Sequence, residues 1–222
     1  MSVSNEIKNR LEKKGVKYFS NDSIAEHITD EERELLLDEV AEKMQAVLES
    51  LVIDTERDHN THDTARRVAK MFMKEIFSGR YECKPKITAF PNALAYDQLY
   101  VTGPVTIRST CAHHFQAIKG VAYVGIFPGE KVIGLSKFNR IIDWIASRPQ
   151  IQEEMTMQIA NNIWQETEAL GVAVIIRAEH LCMTQRGVKE HESDMSTSVM
   201  LGKFREDPSL KSEFLALISQ MK

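Results

Sequence analysis

Residues 98–129 read QLYVTGPVTIRSTCAHHFQAIKGVAYVGIFPG, and this stretch decides the fold class. Residues 99–101 and 105–107 are rich in β-branched and aromatic side chains, which are typical of strands. Residues 121–127 continue that pattern, and Pro-Gly at 128–129 marks a turn. The stretch therefore predicts two strands near the centre of the chain.

Two helices are predicted to follow these strands. The first begins near Ser136 and ends before Pro149, because the residue before proline disfavours helical backbone angles. The second runs from about Gln152 to Leu170, where Gly171 stops it.

Two further strands and a last helix complete the pattern. Residues 172–176, VAVII, form an almost continuous apolar run that is typical of a buried strand. Residues 196–201 predict another strand, and Asp207-Pro208 opens a helix with proline at its first position.

The first third of the chain is predicted to be helical. Thr29 and Glu32 have the spacing of a capping box, and a second helix is predicted after Asp63, with Gly79 as its C-terminal cap. Residues 85–91 are predicted to be a connector. The first of these helices carries apolar residues at helical spacing, at Leu36, Val40, Met44, Val47 and Leu51.

The order of elements predicts an α+β fold. We expect an N-terminal helical region over residues 1–95. A ββααββ domain with a C-terminal helix is expected over residues 96–222.

Composition excludes several classes of function. The 222 residues are 43% hydrophobic and carry a net charge of −4, so no global field attracts nucleic acid or an anionic membrane. No stretch reaches the roughly 18 apolar residues of a membrane span, and the charged N-terminus is unlike a signal peptide. Three cysteines, an odd number, favour free thiols in the cytoplasm.

Cysteine and histidine cluster after two predicted strands. Cys111 and His114 are three residues apart, and Cys182 is placed to complete a catalytic three-ligand zinc set. Alternatively, the cysteines are small core residues and the histidines are satisfied polar groups. His113 and His180 favour the catalytic interpretation, because a closed structural site would have recruited one of them as a fourth ligand.

A basic group lies where strand passes into helix. Ser136 is predicted to cap that helix, and Lys137 and Arg140 lie on one face of its first turn. Together with Arg186 they are candidates for holding a polyphosphate. The alternative is a solvated basic face, which is the commoner case for a single Lys-x-x-Arg.

Glu153 is a candidate for guanine recognition, since one carboxylate accepts both the N1–H and the 2-amino group. From the residues alone, the better interpretation is an ordinary acid in the first turn of a helix, where it suits the dipole.

Four motifs in this order make the chain resemble the GTP cyclohydrolase I family. The resemblance spans about residues 63–201 and also includes RVAKM at 67–71. The motifs are STCAHHF at 109–115, VIGLSKFNR at 132–140, RPQIQE at 148–153, and HLC followed by RGV within 180–188.

The resemblance implies roles for the candidate residues. It gives zinc to Cys111, His114 and Cys182, and acid–base catalysis to His113 and His180. It implies that Glu153 binds guanine. The remaining substrate contacts that it implies are Leu135, Ser136, Lys137, Arg140, Gln152 and Arg186.

The resemblance also implies an assembly and a reaction. The expected fold is the tunnelling fold, built into a homo-oligomeric ring with sites at subunit boundaries, usually a decamer of two pentamers. The expected reaction converts GTP and water to 7,8-dihydroneopterin triphosphate and formate.

The sequence departs from the family at Ala112, where glutamate is usual, and in the acidic segment 190–194. Two alternatives stay open. One is another tunnelling-fold enzyme of pterin or deazaguanine metabolism, which the second thiol of His180-x-Cys182 disfavours. The other is a non-catalytic, zinc-stabilised ring that binds nucleotide.

Overall fold

The computed structural model describes residues 2–221. Its contacts divide the chain into two compact units, Met1–Cys83 and Lys84–Lys222. The boundary at 95 and 96 between a helical region and a catalytic domain stays a prediction. Among the helices of residues 2–221, none has both the length and the apolar character that a membrane span needs.

The first unit is helical, as predicted. Its elements are α1 (Val3–Lys13), a 3₁₀ turn (Ala25–His27), α2 (Asp30–Ser50), α3 (Thr64–Met71), a π-helical turn (Phe72–Ile76) and α4 (Ser78–Tyr81).

The capping box at the start of α2 is confirmed. The Thr29 hydroxyl accepts from the Glu32 amide at 3.1 Å, and the Glu32 carboxylate accepts from the Thr29 amide at 2.9 Å. The same carboxylate binds both terminal nitrogens of Arg10 in α1, at 2.7 and 2.8 Å. One side chain therefore both starts α2 and ties it to α1.

The helical spacing is confirmed, but one detail predicted for this unit is wrong. The buried side chains of α2 are Leu37 and Leu48, and Val47 and Leu51 are 49% and 64% exposed. Gly79 lies buried inside α4 and does not cap a helix, because the π-helical turn carries the chain from α3 into that short helix.

The second unit follows the predicted ββααββ order with short additions. Its strands are β1 (Ala89–Pro91), β2 (Tyr100–Cys111), β3 (Ala117–Phe127), β4 (Lys131–Ile133), β5 (Pro149–Gln150), β6 (Gly171–His180) and β7 (Asp194–Gly202). Its helices are α5 (Leu135–Ala146), α6 (Gln152–Thr167), α7 (Leu181–Thr184), α8 (Lys203–Glu206) and α9 (Pro208–Gln220).

Five strands form the main sheet, in the order β5-β2-β3-β6-β7. β3 is antiparallel to both β2 and β6, with Thr110 opposite Ala117 and His180 opposite Ile118. β1 pairs with β4, so residues 85–91 are not only a connector as predicted.

Helices cover both faces of the sheet. Side chains of α5 and α6 pack on one face with Val172, Val174 and Ile176 of β6, whereas α8 and α9 pack on the other with Ala173 and Ile175. A strand buried on both faces has no polar side, which explains the continuous apolar run in the sequence.

Two helix ends differ from the prediction. Gly134 occupies the cap position of α5, so Ser136 lies in the first turn and makes no capping bond. α6 ends at Thr167 because Glu168 adopts a left-handed conformation, with φ of 48° and ψ of 35°. Gly171 instead begins β6.

Glu39 of α2 provides a stability test for the first unit. Burial alone would raise its pKa, but hydrogen bonds from the Ser4 amide (2.9 Å) and hydroxyl (2.6 Å), together with Lys43, lower the pKa to about 2. We expect Glu39→Gln to reduce the free energy of unfolding at neutral pH by about 1.5 kcal/mol, as for a hydrogen bond to a charged group.

The pH dependence follows from the lowered pKa. The contribution of Glu39 is complete above its unfolded pKa of about 4.3 and disappears as pH falls towards 2. Denaturant unfolding of the full chain at several pH values measures the difference between wild type and variant. The control is Glu42→Gln, an exposed acid on the same helix. A difference that stays constant down to pH 2 would contradict the assignment.

Candidate functional site

The candidate site lies where β2 and β6 end. Both strands are antiparallel to β3, so their last residues, Cys111 and His180, lie at the same end of the sheet. β5 pairs Gln150 with Cys111 in parallel, which brings the start of α6 to this end as well. The sheet therefore gathers three separate sequence motifs.

Two thiols meet at this end of the sheet. Cys111 is 4% exposed and belongs to the buried core, and Cys182 of α7 packs against that core. Burial raises the pKa of Cys182, the neighbouring Cys111 raises it further, and Arg186 opposes both. Thiolates are among the ligands that zinc prefers, and a nearby cation favours the deprotonated form of a thiol.

The histidines of the STCAHHF motif are exposed. His113 Nδ1 lies 3.7 Å from Cys111 Sγ, whereas the His114 ring is placed 6.5 Å from that of His113. Within residues 2–221, no three His, Cys, Asp or Glu side chains are grouped closely enough to hold a metal ion. The ligand set of Cys111, His114 and Cys182 stays a prediction.

His180 is held by Gln152 at the start of α6. His180 Nε2 lies 2.7 Å from Gln152 Oε1, and the Gln152 side chain is completely buried. Burial lowers the pKa of His180, and the exposed carboxylate of Glu153 opposes that effect. Two of the predicted residues, His180 and Glu153, are thus neighbours.

The predicted substrate role of Gln152 stays a prediction, and its side-chain bonds in the structure are all to other protein groups. The Nε2 atom donates towards Ile176 O, Met195 O and Thr197 Oγ1, each at 3.1 Å.

The basic group forms the exposed start of α5. Leu135 is 68% exposed, Ser136 and Arg140 are exposed, and Lys137 donates to the Lys86 carbonyl at 3.3 Å. Arg186 is exposed as well, and its charge acts to lower the pKa of Cys182.

Comparison with known proteins identifies the family. The model of the family described as GTP cyclohydrolase I matches residues 40–219. The chain belongs to the GTP cyclohydrolase I family. This is a family of hydrolases, as the resemblance implies.

Curated relatives extend over most of the chain. "GTP cyclohydrolase 1" of Flavobacterium johnsoniae is 42% identical over 192 residues, 86% of this chain and 84% of the relative. The protein of the same name from Shewanella amazonensis is 40% identical over 184 residues, 82% of this chain and 85% of the relative.

A solved structure, the archaeosine synthase QueF-Like in the apo form, matches with a TM-score of 0.37 and 13% identity. The match covers 47% of this chain and 92% of the archaeosine synthase chain.

Sequence reasoning missed two hydroxyls of this GTP cyclohydrolase I family member. Thr156 of α6 and Thr197 of β7 lie 2.7 Å apart, and both bond to Gln152. The only signal in the sequence is threonine four residues after glutamine in a helix. That pattern is too common to mark a site.

Proposed function

We propose that the chain is a GTP cyclohydrolase I that opens the purine ring of GTP at C8. One water is consumed, formate leaves, and the remainder rearranges to 7,8-dihydroneopterin triphosphate. The observation that carries the proposal is the meeting of Cys111, Cys182 and His180 at one end of the sheet, in a chain of this family.

The donor set fits a zinc ion. Cys111 and Cys182 contribute two thiols at the same end of the sheet, and His114 follows Cys111 by three residues. We infer that these three residues hold the metal. Zinc, when bound, supplies Lewis-acid activation of the water that reacts at C8.

Two histidines supply proton transfer. Ring opening requires a proton at a departing nitrogen, and a histidine has an unperturbed pKa of ~6.5, close to working pH. His180 is fixed by Gln152, and the His113 ring lies beside Cys111. Both are therefore near the inferred metal ligands without being needed as ligands.

Recognition of the nucleotide is assigned to groups that remain accessible. Glu153 is exposed beside His180, where its carboxylate suits the paired donors of guanine. Lys137, Arg140 and Arg186 supply the positive charge for the triphosphate, with Ser136 adding a hydroxyl. Leu135 stands exposed at the first position of the same helix.

A ring assembly is also proposed. β7 is the edge strand of the main sheet, with nine residues whose outer backbone groups face no other described strand. A long unprotected edge favours pairing with another copy, and a ring closes such pairing. It would also let the α5 cations of one subunit approach a second subunit's thiols.

The reaction gives the direct test of function. Zinc-loaded protein should release formate from GTP and, after oxidation, yield a fluorescent pterin, whereas ATP should yield neither. Cys182→Ser should lose both zinc and formate release, because a thiolate ligand is removed. The matched control is Cys83→Ser, which alters an exposed thiol outside the proposed site. Zinc-replete wild type that forms no formate over hours would overturn the proposal.

Glu153→Ala tests guanine selection. Loss of a hydrogen bond to a charged group costs about 1.5–3 kcal/mol, so kcat/KM for GTP should fall roughly 10- to 100-fold while zinc content stays unchanged. Glu154→Ala changes the same residue type one position later and should have little effect. Equal activity of the two variants would return Glu153 to the role of a helix-start acid.

The mass in solution tests the assembly. Ten chains of 25.3 kDa would give a particle of about 253 kDa by light scattering. A 25 kDa particle at micromolar concentration would contradict both the ring and any site shared between subunits.

A further inference from the structure

We propose that Gln152 is a positioning residue, which holds the His180 ring with its proton on Nε2 and leaves Nδ1 as the nitrogen available for proton transfer. The chemical consequence rests on the function proposed above, but the geometry does not. It differs from the substrate-binding role that the family resemblance implies for Gln152.

The Gln152 side chain is enclosed on every side. It is 0% exposed, and it stands at the first position of α6 with β6 and β7 in front of it. Its Nε2 atom has three acceptors at 3.1 Å: Ile176 O of β6, and Met195 O and Thr197 Oγ1 of β7. One amide side chain therefore ties a helix to two strands.

These acceptors decide which way the amide faces. Ile176 O and Met195 O are backbone carbonyls, and a carbonyl oxygen accepts hydrogen bonds but never donates them. Turning the amide over would place Oε1 against both carbonyls, at the cost of buried unpaired acceptors. The two carbonyl acceptors therefore orient Nε2 of Gln152 towards the strands and Oε1 towards His180.

The threonine hydroxyls reinforce this orientation. Thr156 Oγ1 donates to the Gln152 backbone carbonyl at 2.7 Å, so it accepts from Thr197 Oγ1, also at 2.7 Å. Thr197 Oγ1 has then given its only proton to Thr156 and must accept from Gln152 Nε2. The donor and the acceptor of each hydrogen bond in this network are therefore fixed.

The consequence for His180 is direct. Gln152 Oε1 has no proton to donate, so the 2.7 Å contact is a hydrogen bond only when His180 Nε2 carries the proton. This holds for the neutral ring and for the charged ring alike. No other hydrogen bond to the His180 ring is found within residues 2–221, so Nδ1 is the ring nitrogen that no described protein group engages.

A purely structural role for Gln152 makes a different prediction. If the side chain only joined α6 to β6 and β7, its loss would reduce stability without changing where the His180 proton resides. The tautomer of His180 therefore separates the two roles. It is measured by ¹⁵N NMR of the full-length, zinc-loaded protein labelled at its histidine rings.

The spectrum is recorded at a pH about two units above the unperturbed histidine pKa of ~6.5, so that the ring is neutral. Comparison with His180→Ala assigns the signals of His180. Wild type should show a protonated-type nitrogen at His180 Nε2 and an unprotonated-type nitrogen at Nδ1. Gln152→Met keeps the side-chain length but removes the amide, so both His180 nitrogens should move to averaged shifts. Gln165→Met, at an exposed glutamine of the same helix, should leave the spectrum unchanged.

Kinetics provide a second measurement on the same variants. Gln152→Met should lower kcat for GTP roughly 10- to 100-fold with little change in KM and zinc content, because a general acid–base group is misdirected. A large rise in KM with unchanged kcat would overturn the positioning role and favour direct substrate binding by Gln152.

The NMR outcomes do not depend on turnover. A proton on Nδ1 or a tautomer mixture in wild type would overturn the proposal even if Gln152→Met failed to fold. An unchanged His180 spectrum in folded Gln152→Met would overturn it too. Wild type with the expected tautomer but no formate release would instead overturn the proposed function and leave the positioning by Gln152 intact.

Discussion

The register of β3 is the constraint on which the site depends. Because β3 is antiparallel to both β2 and β6, those two strands run in the same direction and must end together. Thr110 opposite Ala117 and Ile118 opposite His180 set that common end to within two residues of β3. A slip of one residue in either ladder would turn every side chain of that strand to the other face, and Cys111 would leave Cys182. The site geometry is thus a by-product of sheet pairing, maintained by the same apolar core that stabilises the fold.

The second constraint is that a buried amide must be satisfied. Gln152 is enclosed where α6 begins, and an unpaired polar group there would cost about 1–3 kcal/mol. The network with Thr156 and Thr197 avoids that cost and fixes the helix start against β6 and β7. Since Glu153 follows Gln152 directly, fixing the amide also fixes the place from which the Glu153 carboxylate extends. The buried hydrogen-bond network and the exposed carboxylate are therefore placed by adjacent residues.

The hydrophobic pattern of the sequence predicts the type and order of the main elements. It does not predict details that depend on tertiary packing, such as which helix face is buried or where a helix ends. Periodicity identified α2 as a helix, yet not that Leu37 and Leu48 would be its buried residues, because several apolar faces of that helix are similar. The sequence predicts Gly171 as the helix stop, whereas Glu168 adopts the left-handed angles that end α6. The motif spacing identified the two thiols, and Cys111 is close enough to raise the pKa of Cys182. No local pattern indicates the partners of Gln152, because they come from strands 24 and 45 residues later.

The net charge of −4 makes the distribution of cations informative. Charges separated by more than about 8 Å are largely screened at physiological salt, so a polyphosphate responds to nearby groups and not to the total. Arg140 and Arg186 are exposed and form no ion pair with any other residue of the described chain, whereas Lys137 is tethered to a backbone carbonyl. An arginine without a carboxylate partner retains its full capacity for bidentate bonds to phosphate. The Gln152 side chain beside His180 is thus held by protein groups alone, whereas Arg140 and Arg186 keep their guanidinium groups exposed.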